Sequence, residues 1–491
     1  MTAKLVSIGD SLTQGFLSGS ISKTSLSFPA MIARCLGDED FTTPDLSGEG
    51  GLPLNLEALL HRLANRYGDR INWFEAIPAL LTARSFMDDV EDYWERGDGS
   101  QPLLNANPYR NLAVWGFQLG DCDTVSEKIC RSYIPRAKDH FLQQIPEFSQ
   151  YLTVRRTLNP SFDPRYQSLT QIDIAQKIAR EDGLENLIFW LGGNHCLGTV
   201  IRLSIEWSTE AEIDKLPHER KANLWRPEHF RVVLHRAAEK VAAIGADHVF
   251  VGNIPHVTIP PISRGVSPGA APGQRQDPDG YFEYYTHFWI WDSDFTPDKY
   301  PCLTRAQIRE IDAVIDEYNQ LIQDEVERRS WHLVDMCQVL DQLAFRRQHG
   351  DTHYQFPPDL VAALKANPAT QDRVTPEGHV LLDTRYARID AQDRDPTRQY
   401  QGGLFSLDGI HPSTIGYGLS AHEYLKVMKQ AWADAGKTVE TSPLDWKHIV
   451  ANDSLVVNPP ANLGNLQDTL GFLYSQTPLP KLLEVIGGLT M

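Results

Sequence analysis

The chain has 491 residues, with 46 Lys+Arg against 64 Asp+Glu and a formal net charge of -18. Its 42% hydrophobic and 22% charged residues are ordinary for a globular protein, which excludes a wholly disordered, collagen-like or coiled-coil chain. The acidic balance argues against a nucleic-acid partner and against docking on anionic membranes, since both need a basic face.

In chain order, the first buried-strand signal is residues 4–9, KLVSIG. The second, residues 111–115 (NLAVW), follows after about a hundred residues, where a minimal βαβ unit needs only about 30. A helical period over 169–182 places Ile172, Ile174, Ala175 and Ile178 on one face, and residues 186–191 (NLIFWL) form the third strand signal. Another helix is expected over 227–244, facing inward with Val232, Leu234, Ala238 and Val241, before a fourth strand at 248–252 (HVFVG). Residues 304–329 repeat Ile308, Ile311, Ile315, Tyr318, Ile322 and Val326 at helical spacing, opened by a Thr304/Gln307 capping box. The fifth strand signal is 332–336, HLVDM.

Strands alternating with helices predict an α/β fold with a mainly parallel, five-stranded sheet. Three long inserts, at about 20–105, 257–303 and 338–404, each begin after the carboxyl end of a strand. That edge is where open α/β sheets bind ligands. The inserts are therefore expected to wall or lid one site within a single domain over 1–436, although stabilising decoration is the alternative. A C-terminal extension, 437–491, is expected to pack on the body; beyond Pro459-Pro460 it carries an amphipathic pattern of Leu466, Leu470, Leu473 and Tyr474.

The strongest apolar run, Leu187 to Leu191, is too short for a bilayer, so no transmembrane segment is expected. Lys4 is followed by only a few apolar residues before Asp10, which does not make a signal peptide. Six dispersed cysteines with no CxxC fit a reducing, cytoplasmic setting and argue against a zinc knuckle.

The chemistry-bearing residues cluster at strand ends. Strand one runs into Gly9-Asp10-Ser11-Leu12, placing Ser11 where a ligand would sit. Serine needs a base to remove its proton, a group that orients the base, and donors for an oxyanion. Asp408 and His411, three positions apart in LDGIHPS, can set a carboxylate beside one imidazole nitrogen; alone, such a pair is more often a surface turn. Ser413 is a plausible cap for a following helix. Gly116 could bare a backbone N–H, and Asn194 could offer its amide, though each alone reads equally as a turn residue.

Ser11 after strand one, Gly116 after strand two, Asn194 after strand three and Asp408 with His411 beyond the last strand follow the block order of the SGNH, or GDSL, hydrolases. The chain resembles that family over about residues 4–430, through short blocks separated by large inserts. So early a first block leaves no domain expected ahead of it. The resemblance implies a three-layer α/β/α flavodoxin-like fold and a serine ester hydrolase of the lipase or esterase kind. It implies Ser11 as nucleophile, His411 as base and acid, and Asp408 as its orienting partner. The oxyanion hole would be the backbone N–H groups of Ser11 and Gly116 with the Asn194 amide; Asp10, beside the serine, is a candidate for a supporting place behind the site. No cofactor or metal is implied. The expected substrate is a small-molecule or lipid-like ester, with sugar O-acetylesters or a catalytically silent binding module as alternatives. One departure stands out: His195 occupies the place of an Asp that commonly supports the local turn, so it is read as structural or as a proton carrier behind the site.

Three further features have bland readings. Cys196 beside His195 is expected to be an inert buried thiol. Asp292-Ser293-Asp294 lacks the glycine and glutamate of a calcium loop. The aromatics Tyr281, Phe282, Tyr284, Tyr285, Phe288, Trp289 and Trp291 could form a ligand platform or the insert's own core.

Overall fold

The computed structural model describes residues 2–104, 108–134, 145–146, 148–270, 275–344, 347, 353–389 and 400–465. Four strands form its main sheet: β1 (Ala3–Gly9), β2 (Leu184–Trp190), β3 (His248–Gly252) and β4 (His332–Val334). All are parallel and lie in the order β1-β2-β3-β4. Side chains alternate across the pleat. Val6, Ile8, Leu187, Phe189, Val249 and Val251 enter one buried cluster, whereas Leu5, Ile188, Trp190, Phe250 and Val334 enter another. Both faces are thus covered, which is why these strands read as continuous apolar runs.

Residues 111–115 do not make the expected fifth strand. They touch β1 through a single parallel bridge, Ser7 to Asn111. Leu112 N–H donates to Ser7 O at 2.9 Å and Val114 N–H to Gly9 O at 3.1 Å. Side chains claim the neighbouring backbone groups. Gln171 Nε2 donates to Leu112 O at 2.7 Å and Gly9 O at 3.1 Å, Asn111 Oδ1 accepts from Ala113 N–H at 3.2 Å, and Gln14 Oε1 accepts from Trp115 N–H at 2.9 Å. Amide side chains have replaced a regular ladder.

The helices that matter for the site are α1 (Ser11–Gln14), α2 (Gln171–Asp182), α3 (Pro227–Ala242), α4 (Arg305–Arg329), α5 (Met336–Leu343) and α6 (Thr414–Asp434). A Thr170/Asp173 capping box starts α2, Pro227 starts α3, and the expected Thr304/Gln307 box starts α4. The six periodic residues of α4 are all buried. In α3 the inward face is rotated from the expected one: Val232 is 37% exposed and Val233 is buried in its place. The signal at 332–336 divides, because Asp335 accepts from Gln338 N–H at 3.0 Å and caps α5, ending the strand at Val334.

The first insert contains the α-helices Phe28–Cys35, Leu56–Tyr67 and Ala76–Glu95. The second forms a small antiparallel sheet of Ser263–Val266, Tyr284–His287 and Leu303–Thr304. Tyr285 and Phe288 are buried in the main core, with Tyr281, Phe282 and Trp289 packed against it, so the insert's aromatics serve mainly as core. The C-terminal extension packs on the body as far as described: Trp446, Ile449 and Val450 are buried, and Asp453 Oδ2 accepts from Ile415 N–H at 2.8 Å. The Leu466, Leu470, Leu473 and Tyr474 pattern lies outside the described residues. Among the described residues, no helix is long and apolar enough to cross a membrane.

Candidate functional site

Ser11 begins α1 immediately beyond β1 and is 6% exposed. The turn that delivers it requires Gly9, since a Cβ there would lie 2.2 Å from Thr13 Oγ1 and 2.8 Å from Trp190 O. Asp10 caps the short helix through Leu12 N–H at 3.1 Å, and Gly15 ends it at φ +92°.

His411 is oriented by Asp408. Its Nδ1–H donates to Asp408 Oδ2 at 3.0 Å, and both groups are buried. The same carboxylate accepts backbone N–H bonds from Gly19 at 3.0 Å, Ile410 at 2.8 Å and His411 at 2.9 Å. Burial alone would push this carboxyl up; the His411 charge and these hydrogen bonds outweigh it and hold the group below its ordinary range. With Nδ1 committed as donor, Nε2 of a neutral ring is left as acceptor. The ring rests on Phe16, with centroids 4.4 Å apart.

Asn194 follows β2 through Gly192, whose φ is +134° and whose added Cβ would lie 2.7 Å from Ile254 Cδ1. Its Nδ2 donates to Phe117 O at 2.9 Å and, at a longer 3.3 Å, to Asp10 Oδ2. Gln118 Nε2 in turn donates to Asn194 O at 3.0 Å. Gly116, at φ +77°, lies in the turn between these contacts and the Gln14-held Trp115. Asp10 is fully buried, and burial pushes its carboxyl up to about 7 despite the Leu12 N–H and the His411 charge. Asp10 thus contacts Asn194 from behind.

Ser11, Asn194 and His411 line one pocket of about 120 Å³; Asp408 lies behind His411, and Gly116 is not among the lining residues. The walls are largely apolar, from Leu12, Leu197, Ile254, Leu340, Phe405 and Leu419. The second insert supplies Val257 and Pro260, and the third supplies Val339, Leu340, Leu343 and Leu404. The first insert supplies no lining residue among those described, contrary to expectation; Ser18, just ahead of it, buttresses the loop that carries Asp408, its N–H donating to Ser406 Oγ at 2.8 Å. None of the aromatics of 281–291 lines the pocket.

His195 proves to be packing. It is fully buried, edge-on to Trp225 at 4.7 Å and to Phe230 at 5.1 Å, and its Nδ1–H donates to Gly192 O at 3.2 Å. Burial, with the Arg220 charge, pushes it down to about 3, so it stays neutral near pH 7. It does not line the pocket, and the proton-carrier alternative has no geometric basis. Cys196 is buried, its Sγ near Gly193 O at 3.2 Å, and burial pushes its thiol up. Asp292 pairs with Arg264 and Arg275 rather than forming a calcium loop.

Sequence reasoning missed several supports. Arg220 holds Asp121 through two bonds of 2.8 Å, and Asp121 accepts from Gln118 N–H at 2.8 Å, fixing the turn after Gly116. Gln14 and Gln171 were also missed. Separations of about a hundred residues leave no local signal for such pairs. A scan against protein-family models and a search of curated proteins find no match to the chain.

Proposed function

We propose that the chain is a serine ester hydrolase related to the SGNH hydrolases, with the three-layer flavodoxin-like arrangement of that family. The observation that carries this reading is the shared pocket of Ser11 and His411, with Asp408 fixing the imidazole from behind. In this reading His411 Nε2 takes the Ser11 hydroxyl proton as Oγ attacks the ester carbonyl. Asp408 stabilises the imidazolium, which then protonates the leaving alcohol. Water, deprotonated by the same nitrogen, releases the acid from the acyl-enzyme. The oxyanion would be met by the Ser11 and Gly116 N–H groups and by Asn194 Nδ2. The 3.3 Å bond to Asp10 is the weaker of the two that Nδ2 makes, and so the one given up.

The apolar lining favours a hydrophobic acyl or alcohol group over a sugar. Nitrophenyl esters of rising chain length, assayed beside an acetylated sugar, test this. Activity should favour an acyl ester longer than acetyl and vanish in Ser11→Ala. Preference for the acetylated sugar over every acyl ester would reverse the substrate assignment.

A further inference from the structure

A second cluster of chemically competent side chains lies in the wall of the same pocket and takes no part in the proposed hydrolysis. His256 lines the pocket; Cys337 and Asp341 project from α5, four residues apart and therefore on one helix face. Their ligand atoms all lie within 4.8 Å of one another. His256 Nδ1 is 3.6 Å from Cys337 Sγ and 2.8 Å from Asp341 Oδ1.

Two of the three separations lie near those around a tetrahedral ion. With Zn–S of about 2.3 Å and Zn–N of about 2.0–2.1 Å, the S···N edge of the tetrahedron is about 3.5 Å, and the N···O edge about 3.3 Å. The observed sulfur–nitrogen distance already matches, and the nitrogen–oxygen pair must open by about half an ångström. On the far side of the ring, His256 Nε2–H points at Asp316 Oδ1 on α4, 3.2 Å away. A carboxylate on the second nitrogen is the usual companion of a metal-bound imidazole, because it fixes the ring and raises its basicity.

The electrostatic surroundings agree. Asp341, Asp316, Asp312 and Asp335 face the cluster from α4, α5 and its cap. Among the described residues the opposing charge is Arg347, which is bound to Asp312 at 2.5 Å and lies 4.0 Å from Asp341. The carboxylates therefore outnumber the guanidinium before the thiol loses its proton.

We propose that His256, Cys337 and Asp341 bind a divalent transition-metal ion of the zinc class. Thiolate and imidazole ligands select zinc or cobalt over magnesium or calcium. Binding replaces the Nδ1 proton and the thiol proton, both released to solvent, and leaves the fourth position to water. The ion would tie the segment after β3 to α5, and Asp316 would tie both to α4. The proposal is independent of ester hydrolysis, and its test has no catalytic readout.

The full-length chain is stripped with a chelator and titrated with Co²⁺ and Zn²⁺. One equivalent of Co²⁺ should bind with a thiolate-to-cobalt charge-transfer band in the near ultraviolet, and Zn²⁺ should displace it and raise the melting temperature. Cys337→Ser should abolish the band. Asp316→Asn should weaken zinc binding by roughly 10- to 100-fold, and Asp341→Asn, which retains a polar partner for His256, by more. Circular dichroism shows which variants remain folded, and the wild-type titration decides the matter should Cys337→Ser unfold. Failure to reach one equivalent, a cobalt spectrum without the charge-transfer band, or unchanged affinity in folded Cys337→Ser and Asp341→Asn would each overturn the site. In that case the cluster is an imidazolium held between two carboxylates.

Discussion

At the residue scale, the site depends on the contrast between two buried carboxyls that both feel the charge of the His411 imidazole. Asp408 receives four hydrogen bonds and stays ionised. Asp10 caps α1 but is otherwise desolvated, and is pushed up to about 7. A carboxyl raised in the folded state contributes stability that is complete below its unfolded value near 4 and is lost as pH rises to about 7. Between pH 5 and 8 that loss is roughly 2–3 kcal/mol, from about 1.4 kcal/mol per pH unit. Asp10→Asn retains a capping oxygen and removes the titration. Urea denaturation at pH 5 and pH 8 should therefore show a smaller pH-dependent loss in the variant than in the wild type. Equal losses would mean that Asp10 is ionised at low cost in the native protein.

At the scale of elements, the legible features were those with local causes. The helices α2 and α4 announce themselves through spacing, α4 also through its capping box, and β3 appears at its observed bounds because five consecutive residues fit a buried strand. The turn that carries Ser11 was legible for a similar reason: Gly9 precedes it in sequence as it does in space. The apolar run at 111–115 is real, but beside its few backbone bonds to β1 the groups at Leu112 O and Trp115 N–H are taken by the distant side chains of Gln171 and Gln14. That substitution is testable. Gln171→Ala leaves Leu112 O without its side-chain donor and should cost about 2 kcal/mol. Amide exchange should accelerate selectively across 112–115 while the β2 and β3 amides remain protected; uniform protection would show that the segment holds its place without Gln171.

For the molecule as a whole, length and acidity are accounted for unevenly. The second and third inserts build the pocket walls, Ser18 just ahead of the first supports the loop that carries Asp408, and Trp446, Ile449 and Val450 of the extension cover one side of α6. Which insert did which was not legible, because composition records that a loop is apolar but not what it faces. The aromatic segment 281–291 illustrates the ambiguity: its residues suit a platform or a core equally, and topology assigns them to the core. His195 shows the same limit at a single position, since only its neighbours Trp225 and Phe230 reveal that it is packing.

The central claim is that Ser11 is a nucleophile activated by His411. Its most direct test is intact-mass measurement after incubation with a fluorophosphonate, followed by peptide mapping. One covalent adduct per chain is expected, located on Ser11, absent in Ser11→Ala and slowed by orders of magnitude in His411→Ala. An unmodified wild-type chain, or an adduct that persists in Ser11→Ala, would contradict the account.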